Sequence, residues 1–527
     1  MAIPVIPSKL LLALPQQWQI PITLLLVLLP VLSLLLITRS RSGSSANKAG
    51  PPGPPRLPVL GNLHQLGPLP HRSLRELARR HGPVMLLRLG TVTTVVVSSP
   101  EAAREVMKAH DADCCNRPES PGPRRASYGR KGVPFGPYDD NWRELRKFFI
   151  VEFLSMPRVK AAWHVRQQQV DKLISNLTRA GPKPVELNDH IYALVDGIIG
   201  TVAFGNIYGT EQFAHKKHFH HVLDEATDML ASFSAEDFFP NAVGRLVDRL
   251  TGLVARRERI FEELDAFFEM VIEQHLDPGR TKPDNGGDFV DALIGLWKQE
   301  HSGTLRFTRE HVKAFIYDTF IGGIVTSSVT MLWAMSELIR KPRVLRKVQD
   351  EIRAVVGGKE RVQPDDVPEL RYLKMVVKET LRLHPPATLL LPRETMRDVK
   401  IAGYDVPAKT RIYVNAWAIG RDPASWSDPE EFDPDRFEVK DVDFNGAHFE
   451  LVPFGAGRRA CPGMAMGVTN VEFTLANLLC CFEWALPEGL TAEDVSMEEA
   501  GELTIPKKTP LVLVPTAYRP ELGVARD

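Results

Sequence analysis

Phe454-Gly455-Ala456-Gly457-Arg458-Arg459-Ala460-Cys461-Pro462-Gly463 sets one cysteine in a turn, behind two glycines and two arginines, at the head of the apolar run Met464 to Phe482. A helix N-terminus and neighbouring cations both favour the anion, so the pattern predicts an easily ionised Cys461. Glycines such as Gly457 let backbone pass close to a flat, bulky group, and Arg459 can pair with that group's carboxylates. A thiolate that pushes electron density onto a haem iron favours O–O cleavage. Cys461 is therefore read as a haem ligand, with Phe454, Gly457 and Arg459 as its companions in cofactor binding.

Three other readings compete for this stretch. Gly455-Ala456-Gly457-Arg458-Arg459-Ala460 also fits the dinucleotide fingerprint G-x-G-x-x-G/A, which needs a buried strand before it and an acid about 20 residues on. Glu483 loosely meets the second need. The preceding His448-Phe449-Glu450-Leu451-Val452-Pro453 is too short and proline-ended to meet the first. Zinc would need a C-x-x-C or a Cys/His cluster, and none accompanies Cys461. A merely buried cysteine would need neither the arginines nor the glycines.

The chain has 527 residues, 44% hydrophobic and 25% charged, enough to bury a large core. Its 65 Lys+Arg balance its 65 Asp+Glu, so charge offers no argument for nucleic acid. Five cysteines in two adjacent pairs and a singleton make no disulfide framework, which suits a reducing compartment.

From Ile20 to Ile37 run 18 uncharged residues, near the lower limit for spanning a hydrocarbon core of about 30 Å. Arg39, Arg41 and Lys48 follow, against Lys9 alone on the other side, so the C-terminal bulk is expected in the cytosol. A cleaved signal peptide is the competing reading, against which stand the length of the run and the few cysteines. Gly50-Pro51-Pro52-Gly53-Pro54-Pro55 reads as a stiff linker. The expected organisation is a short segment at 1–19, an anchor at 20–37, a basic and proline-rich linker at 38–58 and one body at 59–527.

Val84–Gly90 and Thr93–Ser98 read as two strands around a glycine turn. Beyond Pro100, helical spacing of apolar residues runs through 141–180, 187–204, 216–232, 242–275, 288–300, 308–340, 342–356 and 370–383. Short strands return at 399–401, 411–415 and near 503–515. The fold class is mainly α with small β-sheets.

Glu379 and Arg382 stand three apart on one helix face, and Arg436 in Phe432-Asp433-Pro434-Asp435-Arg436-Phe437 could complete a Glu–Arg–Arg cluster with a structural role. An ordinary surface pair is the plain alternative. Trp142 and Arg146, four apart, offer an indole N–H and a guanidinium to a carboxylate such as a haem propionate, and Arg393 is a further candidate. Phe315 to Leu338 reads as a buried helix interrupted at Gly322-Gly323-Ile324-Val325-Thr326-Ser327-Ser328. Each interior glycine costs about 1 kcal/mol relative to alanine, a cost met either for room beside a cofactor or for close helix packing.

Together these residues, in this order, resemble the cytochrome P-450 superfamily of haem-thiolate monooxygenases. The resemblance spans nearly the whole chain. It implies haem b held by Cys461, electrons from NADPH through a membrane-bound flavoprotein reductase, and a catalytic stretch at Gly323, Thr326 and Ser327. The proline linker and His384-Pro385-Pro386 are similar to the plant microsomal branch, implying a single-pass endoplasmic reticulum protein with a cytosolic body in contact with lipid. Thr201–Tyr208, Ala231–Asn241 and Lys378–Leu390 are similar to plant aldoxime monooxygenases of cyanogenic glucoside synthesis, which dehydrate an oxime to a nitrile and hydroxylate carbon. Ala387, Thr388, Leu389 and Leu390 would then face a small, mostly apolar substrate. A hydroxylase of another small plant metabolite (a terpenoid or phenylpropanoid) and a low-turnover haem protein are the rival expectations. The family usually carries an acid before the threonine, where this chain has Val325. Valine cannot relay a proton, and Asp318 stands about 10 Å down the helix axis. Hydroxylation is therefore expected to be slowed or uncoupled, with oxime dehydration surviving better.

Overall fold

The computed structural model describes residues 50–205, 208, 216–280, 287–299, 306–501 and 503–518. The expected anchor at 20–37, the segment before it and most of the linker lie outside these residues. Helices of nine residues or more are α1 (Pro70–His81), α2 (Asp140–Phe149), α3 (Trp163–Ala180), α4 (Leu187–Phe204), α5 (Lys216–Ala231) and α6 (Ala242–Leu250). They continue with α7 (Leu253–Leu276), α8 (Phe289–Lys298), α9 (Arg309–Arg340), α10 (Pro342–Val356), α11 (Arg371–Leu383) and α12 (Met464–Cys481).

Strands β1 (Val84–Leu89), β2 (Val92–Val97), β3 (Val185–Glu186), β4 (Arg393–Glu394), β5 (Val399–Ile401), β6 (Tyr404–Val406), β7 (Arg411–Val414), β8 (Phe482–Ala485) and β9 (Val512–Ala517) make three small sheets. In the largest, ordered β1-β2-β7-β4, β2 pairs in parallel with β7, so Val95 lies beside Ile412 across more than three hundred residues.

α9 is the axis of the molecule. It packs against α4, α12, α8 and α11, and most of its length is buried. Among the described residues α9 and α12 are long and apolar enough to cross a membrane, but both lie mostly inside the protein and serve as core helices. The expected interruption of α9 at Gly322–Ser328 does not occur. The helix runs through, with the Thr326 and Thr330 hydroxyls donating to the carbonyls of Gly322 (2.7 Å) and Thr326 (2.8 Å). Glycine weakens a helix, and the burial of most of the rest of α9 offsets that cost.

Elsewhere the expected long helices are divided. The 141–180 run breaks after α2 into a π-turn (Ile150–Leu154) and a short helix (Met156–Ala161) entered at Pro157, before α3. Pro157 has no N–H for an upstream carbonyl, which suits only a first turn. The 242–275 run divides at Gly252, whose φ of 79° leaves α6 and α7 as separate helices. Helix α1 and strands β3, β4, β6 and β8 add to the expected elements. The proline stretch docks on β1: Leu86 N–H donates to Pro52 O (2.8 Å), and a Cβ on Gly53 would lie 2.1 Å from Leu86 O.

Candidate active site

α9, the turn before α12, the segment Val133–Phe135 and the stretch Pro386–Arg393 enclose a cavity of about 330 Å³. Its walls are chiefly apolar, including Ile199, Ile321, Leu381, Leu390 and Leu503. Protein surrounds Cys461 deeply, and the surface this side chain does show lines the cavity. Its backbone N–H donates to Phe454 O (2.9 Å), which closes the turn.

Burial pushes the Cys461 thiol up, and the Gly463 amide and Arg146 offset this only in part. The helix terminus and the cations that favour the anion are both in place, and an iron bound at the sulfur would displace the proton outright.

The two glycines of the turn differ in purpose. Gly455 (φ 65°) lines the cavity. Gly457 (φ 70°) instead admits a neighbouring loop, since a Cβ there would lie 2.3 Å from Met107 O and 2.5 Å from the Asp111 carboxylate. Phe454 lines the cavity with its ring 5.3 Å from that of Phe444.

Four guanidiniums reach the cavity, from Arg117, Arg146, Arg393 and Arg459. Arg459 donates to the carbonyls of Cys115, Gly136 and Val133. Arg117 donates to those of Pro134, Leu391 and Pro392, and Arg146 to that of Ala460. Among the described residues, only Arg393 of these four meets a carboxylate, Asp111, at 2.8 Å. Burial pushes Arg459 down to about 9, and burial with the repulsion of Arg459 and Arg393 lowers Arg117. Such crowding of buried positive charge calls for anions, and a haem with two propionates beside a cysteine sulfur meets that demand.

Trp142 lies behind this group. Its indole N–H donates to Val133 O (2.9 Å) and its ring carries the Arg459 guanidinium at 3.8 Å, so it acts on the cavity through Arg459 and not by offering its own N–H. Gly323, Thr326 and Ser327 all line the cavity. Val325 points elsewhere, into a small apolar cluster with Val329 and Trp333. Of the Pro386–Leu391 stretch, Pro386, Ala387, Leu390 and Leu391 line the cavity. Leu389 packs on the cluster around β1 instead, and the Thr388 carbonyl accepts the Trp417 N–H.

Glu379, Arg382 and Arg436 meet in the interior. Arg382 binds both Glu379 oxygens at 2.7 Å, and Arg436 Nε donates to one of them at 3.0 Å. The remaining Arg382 donors take the carbonyls of Gly420, Pro429 and Glu431, which ties the long loop before Cys461 to α11. Sequence reasoning missed Arg117, Val133 and the place of Asp318 in the cavity wall. Their significance lies in contacts between distant segments, and no local spacing marks them.

The cytochrome P450 family model matches residues 51–514. The chain is 67% identical over 516 residues to 4-hydroxyphenylacetaldehyde oxime monooxygenase of Sorghum bicolor, covering 96% of each. It is 48% identical to 2-methylbutanal oxime monooxygenase of Manihot esculenta, covering 97% of this chain and 99% of the relative. Among solved structures, a zebra fish cytochrome P450 with progesterone aligns at a TM-score of 0.74 and 24% identity, covering 85% of this chain and 99% of that one.

Proposed function

This chain belongs to the cytochrome P450 family, and from that premise we propose that its cavity takes a small aldoxime for dehydration to a nitrile and hydroxylation at carbon. It is a haem-thiolate monooxygenase that draws NADPH electrons through a reductase. Haem, when bound, supplies the redox centre for dioxygen chemistry. Cys461 would hold its iron, and Arg117, Arg146, Arg393 and Arg459 its propionates. Thr326 Oγ1, its proton turned to Gly322 O, presents an acceptor to the cavity beside Gly323 and Ser327. The apolar walls exclude water and suit a compact aromatic or branched aliphatic body. Ala387 and Leu390 would touch it, with Thr388 and Leu389 acting from behind.

The observation that carries the reading is one cysteine facing an apolar cavity ringed by arginines largely without carboxylate partners. The test is a reduced, CO-bound spectrum, then spectral titration and product analysis over a panel of aldoximes with reductase and NADPH. A nitrile and a hydroxylated product support it. Turnover of a terpenoid or phenylpropanoid with no response to any oxime would overturn it, and Cys461→Ser should abolish the haem-thiolate spectrum.

Val325 bears on coupling. The proposal is that the wild type hydroxylates poorly per NADPH while dehydrating well. Because the side chain at 325 packs on Val329 and Trp333, Val325→Asp must turn its acid out of that cluster to relay a proton; higher hydroxylation per NADPH in the variant supports the idea, and equal yields in both proteins dismiss it.

The protein is further read as a single-pass endoplasmic reticulum protein with its body in the cytosol. The uncharged run 20–37 supports this, as does an outward apolar face on α6.

A further inference from the structure

The segment Val133–Phe135 forms one wall of the cavity, and its backbone is held at nearly every polar group. Trp142 and Arg459 take the Val133 carbonyl, Arg117 takes that of Pro134 (2.9 Å), and Arg130 takes that of Phe135 (3.0 Å). These ties all run to the side that carries the cavity's cations. The one tie to α9, which carries Thr326, is the Val133 N–H donating to Asp318 Oδ2 at 2.7 Å.

The contact is closely built. A Cβ on Gly132 would stand 2.5 to 2.9 Å from the Asp318 carboxyl, so only glycine lets that carboxyl reach the wall. Asp318 is 5% exposed, lines the cavity, and finds no hydrogen-bond partner for Oδ1 among the described residues. An unpartnered buried carboxyl oxygen is expensive, and a purely packing role would be met more cheaply by leucine.

We propose that Asp318 is a positioning residue for substrate selectivity: by holding the Val133 amide it sets how near the wall Val133–Phe135 stands to α9, and so which sizes of ligand the cavity accepts. Burial keeps its carboxyl protonated at neutral pH, so a neutral amide of the same shape can take over the role. The choice of oximes as ligands rests on the reading given under Proposed function; the positioning role does not.

The experiment compares the wild type with Asp318→Asn and Asp318→Leu. Spectral dissociation constants are taken for 4-hydroxyphenylacetaldehyde oxime against 2-methylbutanal oxime, and for 4-phenylimidazole against imidazole. Asp318→Leu should move the large-to-small affinity ratio about tenfold toward unity, with an unaltered CO spectrum per haem. Asp318→Asn should stay within about twofold of wild type, because its carbonyl still accepts the Val133 N–H. Gly132→Ala, which pushes the wall off the carboxyl from the other side, should reproduce the leucine result and serves if Asp318→Leu does not fold. An unchanged ratio in both disrupting variants, or an asparagine variant that behaves like leucine, overturns the proposal. If neither oxime perturbs the wild-type spectrum, the oxime reading fails, and the imidazole pair still decides the role of Asp318.

Discussion

Burial pushes the Asp318 carboxyl up to about 8 from an ordinary 3.8, and the Val133 N–H pulls it back only in part. Above pH 3.8 the unfolded chain ionises this group, whereas the folded chain keeps the proton until about pH 8. Unfolding therefore releases a proton, and the folded state loses stability as pH rises through that window. Asp318→Asn carries no such penalty. Its melting temperature should exceed that of wild type by a few degrees at pH 8, the gap shrinking toward zero near pH 4. A gap that does not change with pH, in thermal unfolding of the solubilised protein, would show the carboxyl ionised in the fold. Glu379→Ala works in the opposite sense, since it leaves Arg382 and Arg436 as buried cations without a carboxylate. A loss of about 3–5 kcal/mol is expected, read as early thermal unfolding and poor haem retention. Cys461, Glu379, Arg382 and Arg436 are legible in sequence because each belongs to a local pattern. The Asp318–Val133 contact is not, since 185 residues separate its ends.

Periodicity locates most elements closely: α4 and α10 fall on the expected 187–204 and 342–356, and β5 on 399–401. It fails at helix ends inside long amphipathic runs. There a single proline or a glycine in the left-handed region, as at Pro157 and Gly252, divides the helix without disturbing the apolar rhythm. Helix α1 escaped for the opposite reason, since its sequence is so charged that only His71 and Leu74 are buried. The two glycines of α9 show what sequence alone leaves open, namely room or packing. Each alternative holds for one of them. A Cβ on Gly322 would meet no atom of the described residues within 4 Å, whereas one on Gly323 would lie 2.9 Å from Ile199 Cδ1 on α4. Gly322→Ala should therefore stabilise α9 by up to about 1 kcal/mol while taking space from the cavity, weakening the larger oxime more than the smaller. Gly323→Val should cost about 1–3 kcal/mol by forcing α4 and α9 apart. Denaturant unfolding beside oxime titration separates the two, and equal effects on stability would refute the division of roles.

The apolar spacing of Val243, Leu246, Val247 and Leu250 tells that α6 has an apolar face but not where it points. In the molecule it points outward: Leu250 is 78% exposed, while Asp248 on the other face is buried against Ser234 Oγ and the Ala235 N–H. Exposing the apolar face while burying Asp248 departs from the arrangement of a helix on a water-facing surface. The turn between β1 and β2 links this region to the chain's entry point. Gly90 N–H donates to Leu60 O and Thr91 N–H to Phe238 O, which sets the exposed Leu57, Val59 and Leu60 on the same edge. The uncharged run 20–37 precedes that edge by about twenty residues, and Arg245 and Arg249 flank the α6 face with positive charge. A bilayer surface fits all of these features, with leucines in the acyl boundary and arginines at the headgroups. A chain lacking residues 1–37 should therefore still sediment with vesicles containing anionic lipid. Leu246→Lys with Leu250→Lys should cut that partitioning by more than about tenfold, since each leucine withdrawn from lipid forfeits about 1.5–3 kcal/mol. The substituted residues are exposed, so the CO spectrum should not change. If the truncated chain stays in the supernatant whether or not the leucines are replaced, the bilayer is not what covers this face, and attachment rests on the N-terminal run alone.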